Sequence, residues 1–187
     1  TRRLIQILNG LALVIGFLWW VFKPDFEPAL TTLVLLATLI GLIVEEKVSA
    51  VRDADKALFV KFKETLPSNG TVAFVDQNNF AGSFERQKLN DFHNFIHEWD
   101  DAEHEFLDKK LESKRKDLMR LIKEYLGIIA LQTFSTRTTG WNSVPKEWEL
   151  EQPERFRKVV DQLHTLAGQI VASHQDLIRI TRKKLKC

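Results

Sequence analysis

The chain has 187 residues, is 44% hydrophobic and 28% charged, and carries a formal net charge of +2. That near-neutral balance excludes the strong basic excess of a typical nucleic-acid binder, so no direct nucleic-acid binding is expected. A single cysteine, Cys187, excludes an internal disulfide or a cysteine-based metal cluster.

Charge is distributed unevenly. Before Glu45 only Arg2, Arg3, Lys23, Asp25 and Glu27 are charged, so nearly all of the 27 basic and 25 acidic residues lie beyond that point. Residues 4–22 and 29–44 are two uncharged, largely apolar runs, near the length a helix needs to cross a bilayer. They predict a transmembrane helical hairpin over 1–47. Arg2 and Arg3 before the first run, and Lys47, Arg52 and Lys56 after the second, predict both termini on the cytosolic side of a bacterial inner membrane. Trp19 and Trp20 then become anchors at the outer interface. Gln6, Asn9, Ala12 and Gly16 share one helical stripe, and Ala37 and Gly41 form a small-xxx-small step. Both features suit assembly between helices in lipid.

A charged stalk is expected over 48–66, ending at the turn Pro67-Ser68-Asn69-Gly70. The cytosolic helical domain then covers 67–187. The β-branched run 71–75 reads as its one short strand, and Ser83 reads as the cap of a helix over 85–100. Longer helices follow over 109–134 and 153–186, with a Thr/Ser-rich segment and a connecting loop between them. Leu111, Leu118 and Tyr125 repeat every seven residues, as do Phe156, Leu163, Ile170 and Leu177. Such rows predict a helical bundle. The fold class is therefore mainly α, a two-helix transmembrane hairpin plus a helical bundle with at most one short strand.

Candidate chemistry is sparse. His93 and His97 stand one helical turn apart, with Asp100, Asp101 and His104 beyond, but the His-Glu-x-x-His pattern is absent and a metal site is discounted. Ser83 lacks the glycines of a nucleophile elbow. His174 falls in the apolar row of the last helix, as a hydrogen-bonded core histidine would, with His164 beside it. Phe84, Phe92, Phe95 and Trp99 belong to an aromatic-rich stretch that reads first as core and second as a docking groove for a partner. No catalytic residue, metal or cofactor is expected.

This organisation, with Gly82-Ser83-Phe84, His97-Glu98-Trp99-Asp100 and Glu105-Phe106-Leu107-Asp108 in its helical part, resembles the two-transmembrane effectors found with some retron systems of bacterial anti-phage defence. The resemblance implies a non-enzymatic effector that assembles in the inner membrane and breaks its permeability barrier when activated. Its implied partners are membrane lipid, further copies of itself and a cytosolic protein or ribonucleoprotein regulator. The alternative is a membrane-anchored adaptor or inhibitory subunit whose helical domain binds a cytosolic protein.

Overall fold

The computed structural model describes the backbone of residues 2–22 and 26–186, and the side chains of 10–18, 21–22 and 33–186. The described residues are mainly helical, as expected. In order they form α1 (Arg2–Phe22), α2 (Phe26–Thr65), α3 (Thr71–Gln77), β1 (Phe84–Glu85), α4 (Asn90–Glu98), α5 (Lys109–Gln132), β2 (Phe134–Ser135), β3 (Trp141–Ser143), α6 (Glu147–Glu151) and α7 (Pro153–Leu185). Short 3-10 turns cover Arg86–Leu89 and Ala102–His104. The chain divides into two units, Thr1–Asp53 and Ala54–Cys187.

Among the described residues, no helix is long and apolar enough to cross a membrane. The apolar run of α2 ends in mid-helix. It then meets Glu45, Glu46 and Lys47. This corrects the expectation of a transmembrane hairpin, and with it the inner-membrane location and the membrane pore. The side chains of Gln6, Asn9, Trp19 and Trp20 lie outside the described residues.

The second unit owes its shape to the two heptad rows. Leu111, Leu118, Ile122 and Tyr125 of α5 and Leu163, Ile170 and Leu177 of α7 are all buried. Asp108 caps α5, its Oδ1 accepting from the Lys110 and Leu111 N–H groups at 2.9 and 3.1 Å. Pro153 opens α7, where its missing N–H costs nothing. The last part of α2 supplies Phe59 and Phe62, with Leu66 just beyond, to the same core.

Residues 71–75 are not a strand. They begin α3, and Thr71, Val72 and Val75 are buried at helical spacing. Strand propensity yields to tertiary packing here, as context-dependent β preferences often do. Gly70 offers no side-chain cap to α3. Asp91 of α4 does so instead, its Oδ2 accepting the Thr71 N–H at 2.8 Å, while the Thr71 hydroxyl donates to the Lys88 carbonyl at 2.7 Å. A Cβ at position 70 would sit on Asp91 Oδ2 and 3.0 Å from Pro67 Cγ. Gly70→Ala should therefore cost about 1–2 kcal/mol by displacing one charged hydrogen bond. Urea unfolding of a double-mutant cycle checks this, because adding Gly70→Ala to Asp91→Ala should cost little more than Asp91→Ala alone.

Among the described residues there are three short strands where at most one was expected. They form one antiparallel sheet of order β1-β3-β2, pairing Phe84 with Asn142 and Phe134 with Ser143. Ser83 precedes a strand and caps no helix. The expected loop over 141–145 contains β3, reached through a turn in which Gly140 takes φ +82 and its carbonyl accepts the Arg86 N–H at 2.9 Å.

Candidate interaction surfaces

The aromatic stretch proposed for docking is the centre of the second unit. Phe84, Phe92, Phe95 and Trp99 are each 0–1% exposed. Phe62 sits among them, 5.8 Å from Phe95 and 5.5 Å from Trp99, edge-on to both. Such T-shaped pairs add to the area that burial removes from water. Trp99 Nε1–H donates to Thr65 Oγ1 at 3.3 Å, and the Thr65 hydroxyl donates to Glu98 Oε2 at 3.2 Å. The unit's own side chains enclose these rings.

His174 belongs to this core, as its place in the apolar row suggested. It is fully buried, its ring lies 5.6 Å from that of Phe62, and its Nε2 is 3.0 Å from the Leu66 carbonyl oxygen. Only an N–H can pair with a carbonyl, so Nε2 carries the proton and Nδ1 is bare. Burial pushes its pKa down, against the opposing pull of the Leu66 bond. His164 instead accepts, its Nε2 receiving the Phe80 N–H at 3.1 Å.

His93 and His97 are exposed on α4. Among the described residues no three His, Cys, Asp or Glu side chains gather in a metal-holding group. Asp101 faces His104 Nδ1 at 2.8 Å, and this bond holds the Asp101 carboxyl below the usual carboxylate range.

Two buried charged groups serve the segment between α4 and α5. Asp55, 1% exposed, accepts the N–H groups of Leu107 and Asp108 at 2.7 and 3.0 Å. Arg115 is buried as well. Its Nε and Nη2 donate to the two Glu112 oxygens at 2.9 and 2.6 Å, and its Nη1 donates to the Trp99 carbonyl. Neither Asp55 nor Arg115 stood out in the sequence, where each is one more charge on a charged helix.

No protein-family model, curated protein or solved structure matches this chain. Its surfaces must therefore be read from their own chemistry. In the first unit, half-buried residues fall on one stripe of each helix, with Gly10, Ala12, Leu13 and Gly16 on α1 and Leu35, Leu39 and Leu42 on α2. Ala12 and Gly16 of the expected assembly face lie on the α1 stripe, whereas Ala37 and Gly41 lie outside the α2 stripe and are exposed. Around them Leu33, Val34, Ile40 and Ile43 are exposed, and on α1 so are Ile15 and Phe22. A Cβ added at Gly41 would meet nothing within 4 Å.

In the second unit, an open groove of about 690 Å³ between α5 and α7 is lined by Glu124, Ile128, Lys158, Asp161 and Leu166 among others. Its charged walls differ from the mostly apolar lining of small-molecule sites.

Proposed function

We propose that this protein is a non-enzymatic interaction protein, an adaptor whose first unit associates with further copies and whose second unit binds a protein partner. The observation that carries the reading is the apolar exposure of the first unit. Ile15, Phe22, Leu33, Val34, Ile40 and Ile43 are exposed by 43–81%. At on the order of 100 Å² apiece, these six side chains, spread around the two helices, leave about 600 Å² of apolar surface in solvent. A second copy brings an equally apolar face. The second unit supports the non-enzymatic part, because its buried charges Asp55 and Arg115 are spent on backbone groups and on Glu112.

Sedimentation of the full chain over a range of concentrations tests this. The parent should associate, and Gly41→Leu should shift it toward monomer by holding the helices apart, since the added side chain has open space within its own chain. Far-UV circular dichroism should not change. A parent that stays monomeric at every concentration defeats the proposal. Flotation with phospholipid vesicles in place of self-association would defeat it equally.

A further inference from the structure

We infer that the end of the second unit formed by the C-terminus of α5, β2 and α6 is a docking site for a partner segment carrying an apolar anchor flanked by lysine or arginine. The inference rests on the reading of the chain as an interaction protein and names the chemistry of its partner.

Among the described residues of this unit, five large apolar side chains are exposed, namely Val60, Leu107, Leu131, Phe134 and Leu150. Three of them belong to this one end. Leu131 is 73% and Leu150 88% exposed. The same end holds a fixed aromatic platform. The Phe134 ring stands edge-on to Trp148 at 6.2 Å, and the Arg155 guanidinium lies over Trp148 at 3.6 Å. Arg155 is itself held by Gln132 Oε1 and Gln152 Oε1, both at 3.2 Å. Tryptophan and arginine are the residues in which interface energy concentrates, and a platform fixed before binding loses little side-chain freedom on association.

Charge states what would cover it. Residues 147–154 contain Glu147, Glu149, Glu151 and Glu154 and no lysine or arginine, while Arg137 and Lys146 line the groove on the far side of Phe134. All four are exposed, and among the described residues none forms an ion pair. Other carboxylates of the unit are neutralised within it: Asp100 pairs with Lys123, Asp108 with Lys184, Glu112 with Arg115 and Asp176 with Lys114. Arg155, next along the chain, is occupied by Trp148 and the two glutamines. An apolar anchor seated on Leu150 therefore meets the carboxylates of α6, which favour flanking cations and repel flanking anions.

The test uses the full chain and a fluorescein-labelled synthetic peptide of alternating leucine and lysine, read by fluorescence anisotropy. A counterpart with glutamate in place of lysine serves as the control. The lysine peptide should bind and the glutamate peptide should not. Leu150→Ser together with Leu131→Ser should weaken binding about tenfold or more, as loss of a central anchor does. Glu149→Gln with Glu151→Gln should weaken it less and flatten its dependence on salt. Equal binding of the two peptides, no binding of the lysine peptide, or parent-like binding by the leucine variant would each overturn the inference. Gly41→Leu separates this proposal from the one it rests on. If that variant alone fails in sedimentation yet binds the peptide normally, the docking site stands and only self-assembly is lost.

Discussion

Replacing Phe62 with alanine should lower the stability of the second unit by about 3–5 kcal/mol, the usual range for deleting a fully buried phenylalanine. Phe62 is 0% exposed and touches four rings, those of Phe59, Phe95, Trp99 and His174, at 5.5–6.3 Å. These belong to α2, α4, the turn after α4, and α7, so no single neighbour can move to fill the void. At roughly 3 °C per kcal/mol for a unit of this size, the melting temperature should fall about 10–15 °C. Val60→Ala is the control, since Val60 on the same helix is half exposed and should change stability by less than about 0.5 kcal/mol. Thermal unfolding of the full chain followed by circular dichroism reads both. A Phe62 variant that melts with the parent would show that α2 is not part of this core.

The second large effect is expected at Arg115. Arg115→Met leaves a mostly buried Glu112 carboxylate without its fork and the Trp99 carbonyl without its donor. Breaking a buried pair from one side costs about 3–5 kcal/mol, and the contact from Lys116 to Glu112 at 3.3 Å places this case near the low end. Adding Glu112→Gln should restore part of the loss, because the orphaned charge is then gone. The pair also sets a pH dependence. Burial pushes the Glu112 carboxyl up, but the bonds from Arg115 and the Phe106 N–H outweigh it and hold its pKa below the usual glutamate value. A carboxyl depressed by folding contributes stability that is complete above its unfolded value, near 4.3, and lost as pH falls through the folded one. Urea midpoints between pH 7 and 3 should therefore fall more gently in Arg115→Met than in the parent. Parallel curves would exclude Arg115 as the cause.

The parts of the fold legible in the sequence were those governed by long periodicity. The rows on α5 and α7 repeat over several turns, and the residues they name, from Leu111 to Tyr125 and from Phe156 to Leu177, are buried. His174 was legible for the same reason. The three strands were not, because two or three residues are too few to show alternation, and their pairing joins segments far apart in the chain. The helix α3 was misread because Thr71, Val72 and Val75 look like a strand until Asp91, twenty residues on, is seen to cap them. The apolar runs at the N-terminus were plain, but what covers them was not a property of the runs alone. Trp148 and Leu150 drew no notice because the exposure of Leu150 depends on where α6 lands, not on its neighbours in sequence.

The hydrogen bond from His174 to the Leu66 carbonyl also bears on how the protein is made. It spans 108 positions, and α7 leaves the ribosome after every other element that packs in this unit. At about 5–20 residues per second, Leu66 waits roughly 5–20 s for its partner. During that interval Phe59, Phe62 and Leu66 have no α7 to close over them, and α5 lacks the helix it packs against. The second unit therefore completes its core only once α7 has been made. A nascent chain stalled before His174 presents those side chains to whatever binds exposed apolar surface in the cell.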